Sequence, residues 1–177
     1  MSGRERPVVG PRYADCPTVE DEVTVHATAD AVWALVTDIG LPARFSDEFQ
    51  GARWLDGATG PGQGARFVGS NTHPLAGSWQ TTCTIAEFEP GRCLAYVVND
   101  PENPTATWRF TLIREKGQIR LRMWARIGPG PSELTRVIEA NPAKEPSIVA
   151  HRLTELRGNI TATLAGIKHL AEQERRG

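Results

Sequence analysis

The side chains able to do chemistry are few and scattered. His26, His73, His151 and His169 stand apart, with no H-E-x-x-H, no close His pair and no Cys/His cluster. The spacing that holds a zinc ion is therefore missing, and no metal site is expected. Cys16, Cys83 and Cys93 lack C-x-x-C spacing and leave an odd one over, which argues against a disulfide framework. Nothing nearby in sequence lowers a thiol pKa, so Cys83 and Cys93 read as small hydrophobes and not as nucleophiles. G-x-S-x-G and the Walker loop are absent. No catalytic residue is assigned on this basis, and no nucleotide or other cofactor is implied.

What remains is a set of single polar groups. His73 can act as a general acid or base, because an unperturbed imidazole titrates near about pH 6.5; the plainer reading is a solvated loop histidine. Arg152 has forked donors suited to a ligand carboxylate or phenolate, or to an ordinary salt bridge. Asn159 lies one helical repeat further on. Tyr96 can orient a ligand hydroxyl, although its facing is ambiguous: Leu94-Tyr96-Val98 and Cys93-Ala95-Val97 are both apolar enough to point inward. Arg109, Arg114, Lys116, Arg120, Arg122 and Arg126 cluster with Trp124. Arginine and tryptophan together can attract nucleic acid or an acidic partner, or Arg stems can cover Trp124 on a solvated face.

These groups must be positioned by regular elements. Val19, Val23 and Val25 share one parity and predict a half-buried strand over 19–27. Asp30 opens a helix through Asp38, stopped by Gly40 and Pro42. Residues 41–49 can add a second short helix. Strand signals then dominate, at 52–55, 65–71, 78–88, 92–99, 105–114 and 118–127, each ending at Gly, Pro or Asp turn signals. The last alternates clearly. Ile119, Leu121, Met123, Ala125 and Ile127 share one face, opposite Arg120, Arg122, Trp124 and Arg126. Trp108, Phe110 and Leu112 oppose Arg109 in the strand before. Gly128-Pro129-Gly130-Pro131 follows, as a turn or a gating loop.

A helix over 146–174 closes the chain. Setting Val149 at zero, Leu156, Ile160 and Ile167 lie within about 20° of it, an apolar stripe fit to pack on a sheet. Arg152, Asn159 and Thr163 flank the stripe, and His151 falls on the solvent side. Six successive strands cannot build βαβ units, so the class is α+β, with an antiparallel sheet around one long helix.

The chain has 177 residues, with 20 Lys+Arg against 21 Asp+Glu and a net charge of −1. The length suits one domain, assigned to 18–177 behind a loose Pro-rich leader at 1–17. Balanced charge supplies no global field for nucleic acid, which is not expected as a partner. No run approaches the roughly 20 apolar residues of a membrane span, and Val8-Val9 between Pro7 and Pro11 is no signal-peptide core. A cytoplasmic protein is expected.

The order of motifs resembles the SRPBCC, or Bet v 1/START-like, superfamily, and within it the bacterial polyketide cyclase/dehydratase and lipid-transport group. The resemblance rests on the opening strand with Ala29-Asp30-Ala31-Val32-Trp33-Ala34-Leu35-Val36-Thr37-Asp38, and on Arg44-Phe45-Ser46. Gly62-Gln63-Gly64-Ala65-Arg66-Phe67, Ala86-Glu87-Phe88-Glu89-Pro90-Gly91-Arg92 and the final helix complete it. It spans about residues 19–172 and implies a helix-grip fold: about seven curved antiparallel strands wrapped around the long C-terminal helix, with two short helices after the first strand. It also implies a cavity between sheet and helix for an apolar small molecule, with Asn71 to Gly77 bordering its mouth.

On that basis the expected ligand-binding residues are Asn71, His73, Tyr96, Trp108, Phe110, Leu121, Met123, Arg152, Leu156 and Asn159. Met123 suits a pocket that adapts to its ligand. The leading expectation is a binding module for a polyketide-, lipid- or sterol-like molecule. The alternatives are a polyketide cyclase or dehydratase, and an interaction protein or homodimer using the Arg/Trp face.

Overall fold

The computed structural model describes residues 10–174. Its sheet has seven strands: β1 (Thr18–Val25), β2 (Phe49–Trp54), β3 (Arg66–His73), β4 (Gly77–Glu89), β5 (Cys93–Val98), β6 (Ala106–Glu115) and β7 (Gln118–Ile127). Their spatial order is β1-β7-β6-β5-β4-β3-β2, and every neighbouring pair is antiparallel. Helix α1 (Ala29–Val36) follows β1, α2 (Glu133–Ala140) follows β7, and α3 (Glu145–Glu174) closes the fold. This is the α+β helix-grip architecture. Among the described residues no helix is long and apolar enough to cross a membrane.

Alternation in β7 sets the core. Ile119, Leu121, Met123, Ala125 and Ile127 are all buried. They meet Val149, Leu156, Ile160, Leu164 and Ile167 of α3 in one apolar cluster. Both sheet edges are protected against further pairing. On β1, Arg157 of α3 donates to the Glu20 carbonyl at 3.1 Å, and Lys168 donates to the Thr24 carbonyl. At the other edge, β2 is short and bulged, with a register shift between Phe49 and Gly51.

Four segments differ from the sequence-based expectation. Residues 41–49 form no full helix: Leu41–Arg44 is one 3-10 turn. Ser46 then accepts from the amides of Glu48 and Phe49, and the chain enters β2. Helix α1 is capped by Thr28, whose hydroxyl accepts from the Ala31 amide at 3.2 Å, with Asp30 in its first turn. Helix α2 was missed; Ser132 and Thr135 form a reciprocal capping box at its start. Leu134 and Ile138 lay its apolar side on the core.

Of the expected leader, residues 1–9 lie outside the described residues, while 10–17 are packed. Tyr13 is buried and its hydroxyl donates to the Gly130 carbonyl. Gly128 (φ +82°) lies under its ring, where a Cβ would come within 3.2 Å. The amides of Gly128 and Gly130 donate at 2.8 Å to the carbonyls of Thr105 and Pro104. The Gly-Pro loop is thus fastened at Gly128 and Gly130.

A charged network fastens the segment before β2 to α3. Arg152 grips Glu48 with two bonds, of 2.6 and 2.7 Å, and reaches Glu155 at 3.3 Å. Glu155 also meets His73 Nε2 at 3.0 Å. His73 Nδ1 accepts from the Leu75 amide at 3.2 Å, so in the neutral ring the proton sits on Nε2 and is donated to Glu155. Burial penalises the Glu155 charge, but the His73 bond and the Arg152 charge outweigh it and hold its pKa below the ordinary carboxylate value.

Two predictions follow from these contacts. The folded pKa of Glu155 is depressed, so its stabilisation is complete above the unfolded value of about 4.3 and is lost as pH falls through the folded one. Glu155→Gln therefore costs stability near neutrality, and its urea midpoint falls less steeply than that of the parent between about pH 5 and pH 3. Equal slopes would show that the network does not carry this dependence. On α3, Gly166 seats the Phe45 ring where a Cβ would collide, whereas a Cβ at Gly158 meets nothing within 4 Å. Gly158→Ala should stabilise by up to about 1 kcal/mol. Gly166→Ala should destabilise by about 1–3 kcal/mol despite the same gain in helix propensity. Chemical denaturation of the pair checks the opposite signs.

Candidate functional site

Helix α3 packs along β1 and β7, at one side of the sheet. Over the other strands, between the sheet and the segment that follows α1, lies a cavity of about 110 Å³. Its sheet wall is Phe67 and Asn71 of β3, Thr81 and Cys83 of β4, Leu94, Tyr96 and Val98 of β5, Trp108 and Phe110 of β6, and Met123 of β7. Leu156, Asn159 and Thr163 of α3 close one side, and Val36, Asp38, Ile39, Pro42, Ser46, Glu48 and Phe49 form the roof.

The wall's facing follows from strand register. Tyr96 pairs with Trp108 and Leu94 with Phe110, so these four share one face, and the parity of Tyr96 is resolved inward. A bulge between Ile85 and Glu87 shifts the register of the neighbouring strand. The Tyr96 ring stands edge-on to Phe67, with centroids 5.1 Å apart, and Phe67 stands edge-on to Trp54 at 5.7 Å. This aromatic set fixes the floor in the favoured edge-to-face arrangement. Gly69 lets the Phe49 ring approach β3, since a Cβ there would stand 3.0 Å from it.

Polar groups interrupt the apolar wall. Asn71, Tyr96, Asn159 and Thr163 all line it, and no side-chain hydrogen bond joins any of them to another described residue. Burial, with a smaller contribution from Cys83, raises the Tyr96 phenol well above its ordinary value, so it stays protonated and presents a donor. Burial also pushes the Cys83 thiol up to about 12, against a weaker opposing bond from Thr81, and removes it as a nucleophile at neutral pH. The two carboxylates in the lining are engaged elsewhere: Glu48 holds Arg152, and Asp38 Oδ1 accepts from the Gly40 amide at 2.9 Å.

Seven of the ten residues singled out from sequence therefore line one cavity: Asn71, Tyr96, Trp108, Phe110, Met123, Leu156 and Asn159. Three do not. Leu121 is fully buried between its register partners Val23 and Leu112. Arg152 spends its fork on Glu48, so it is not a free clamp for a ligand anion. Burial opposes its charge, but the Glu48 bond and the nearby carboxylates win and raise its pKa. His73 is neither a free loop histidine nor a cavity base, because both ring nitrogens are engaged outside the pocket. Sequence reasoning missed Phe67, Phe49, Glu48 and Asp38. Phe67 carried a usable signal, an aromatic on a strand flanked by Arg66.

The basic sheet face is balanced by acids. Arg109 pairs with Glu87, Arg120 with Glu115 and Glu22, and Arg122 with Glu22 at 3.1 Å. Among the described residues no group of three or more His, Cys, Asp or Glu side chains is placed to hold a metal ion.

The comparisons agree with this fold. The solution structure of the Polyketide_cyc-like protein Cgl2372 from Corynebacterium glutamicum is 26% identical, with a TM-score of 0.62 over 89% of this chain and 93% of that one. The aromatase/cyclase Zhui from a Streptomyces species is 20% identical, with a TM-score of 0.59 over 90% and 94%. The di-domain ARO/CYC StfQ of the steffimycin biosynthetic pathway is 15% identical, with a TM-score of 0.68 over 90% of this chain and 52% of that one, so the present fold corresponds to about half of StfQ. The last two likenesses concern the fold alone. No curated protein matches the chain by sequence. The model of one family matches residues 17–172, and the chain belongs to that family, described as polyketide cyclase/dehydrase and lipid transport.

Proposed function

We propose that the protein binds an amphipathic, oxygen-bearing small molecule of polyketide type in the cavity between sheet and α3. One observation carries this reading: Asn71, Tyr96, Asn159 and Thr163 face an apolar cavity without partners among the described residues. Their polar atoms reach the cavity space and are open to a partner there. An apolar pocket with a few convergent polar groups is the usual form of a small-molecule site. Tyr96 donates to a ligand oxygen, the two amides offer donor and acceptor, and the aromatic wall takes the ring or chain.

A cyclase is the second reading, and it is favoured by one feature. Tyr96, a neutral phenol at pH 7 that lines the cavity, can donate a hydrogen bond to a ketone oxygen as that oxygen gains enolate character, with the α-proton passing to water, while the cavity positions the chain for ring closure. Under this reading Tyr96→Phe lowers kcat at saturating poly-β-ketone, and under the binding reading there is no turnover to lower.

The test begins with native mass spectrometry of gently purified protein and solvent extraction of whatever dissociates. A stoichiometric, extractable, oxygen-bearing adduct is expected. Tyr96→Phe should weaken rebinding of the extract about two- to tenfold, the value of one hydrogen bond of about 0.5–1.5 kcal/mol. Unchanged affinity in Tyr96→Phe and in Asn159→Leu would remove the cavity from the binding site.

A further inference from the structure

We infer that the cavity selects an uncharged ligand carrying a single hydroxylated or keto-bearing ring, and excludes both fused-ring systems and carboxylates. The inference rests on the binding reading above and adds a size and a charge to it.

The size comes from the hollow. The partly open hollow measures about 110 Å³, whereas an apolar cavity of about 150 Å³ is benzene-sized and drug-sized ligands use roughly 300–1,000 Å³. Its walls are packed where a longer ligand would have to push. Phe67 is wedged between Trp54 and Tyr96 by two edge-to-face contacts. The roof is tied to α3 through Glu48 and Arg152.

The charge comes from the lining. No Lys, Arg or His side chain is among the residues that form the wall, while Asp38 and Glu48 are. Arg152 stands just behind Glu48, but Glu48 and Glu155 share its guanidinium. An anionic ligand would enter past carboxylates and lie in an apolar hollow without a cation. Burying an unpaired charge is far more costly than burying a hydroxyl. The four unpartnered groups are neutral and suit neutral oxygens.

Three probes titrated calorimetrically near pH 7 test both halves. Orcinol is one neutral dihydroxylated ring. α-Resorcylate is the same ring with a carboxylate in place of the methyl. Danthron is a neutral dihydroxylated system of three fused rings. Orcinol is expected to bind at least about tenfold more tightly than either of the others. Danthron offers more apolar surface, which by itself would favour it over orcinol.

Two variants sharpen the reading. Glu48→Gln removes one of the two carboxylate charges on the Arg152 guanidinium and one from the lining, and should narrow the ratio of orcinol to α-resorcylate affinity several-fold. Phe49→Ala removes a ring from the roof and should narrow the ratio of orcinol to danthron affinity. Danthron binding as tightly as orcinol overturns the size limit, and α-resorcylate doing so overturns the charge selection. In both cases a loss of affinity in Tyr96→Phe keeps the cavity as the binding site. If none of the probes binds while purified protein yields an extractable adduct, the selectivity is wrong and the binding reading survives. If none binds and no adduct is found, both fall.

Discussion

One helix cannot cover seven strands, and most of the structure is a response to that mismatch. Six inter-strand gaps of about 4.8 Å make a sheet about 29 Å wide, and a helix with its side chains is about 10–12 Å across. Helix α3 covers the β1–β7 side, where its Arg157 and Lys168 also satisfy the carbonyls of the exposed edge. The rest of the inner face must curl, be roofed, or stay hollow. It does all three. Bulges at Gly51 and between Ile85 and Glu87 bend the far strands. Residues 36–49 form the roof and α2 lays Leu134 and Ile138 on the core. What neither curvature nor roof fills is the cavity. The site is the space that one helix leaves uncovered.

A roof of short turns has little regular structure to hold it, so its attachment to α3 decides whether the hollow persists. Two contacts share that work. Phe45 is seated on Gly166, the one place along that stretch of helix where a ring can lie directly on the backbone. Glu48 is gripped by both arms of Arg152, with both side chains mostly removed from solvent. Surface ion pairs contribute little, but a bidentate pair in a partly buried seam fixes orientation as well as adding energy. The same pair uses up the arginine that stands behind Glu48. Holding the roof and recognising an anion are exclusive uses of Arg152, and the fold has chosen the first.

Much of this was legible in the sequence wherever one face of an element is buried throughout. The alternation in β7 and the stripe on α3 announced themselves, because burial dictates residue type at fixed periods. Tyr96 was ambiguous for a physical reason: β5 is a central strand with Cys93 and Ala95 buried on its other face, so both parities are apolar. Glu48 was invisible because nothing local distinguishes a carboxylate that will meet an arginine 104 residues away. Helix α2 had a readable cap, but the Gly-Pro run before it masked its short apolar repeat. Tyr13 sat in a stretch whose composition reads as loose, and one aromatic with a hydroxyl partner at Gly130 suffices to order it.

The unpartnered groups in the wall set the relation between stability and function. A core made only for stability would place leucine or phenylalanine where Asn159 and Thr163 stand on α3, and would close the hollow. Filling such a void commonly adds stability. Keeping amides and hydroxyls there forgoes the apolar burial that leucine or phenylalanine would add. Rules of local consistency are broken in natural folds mainly where a site requires it. Asn71, Tyr96, Asn159 and Thr163 come from three different elements and converge on one space. Packing error would not produce that convergence, whereas a ligand with several oxygens would reward it at each group.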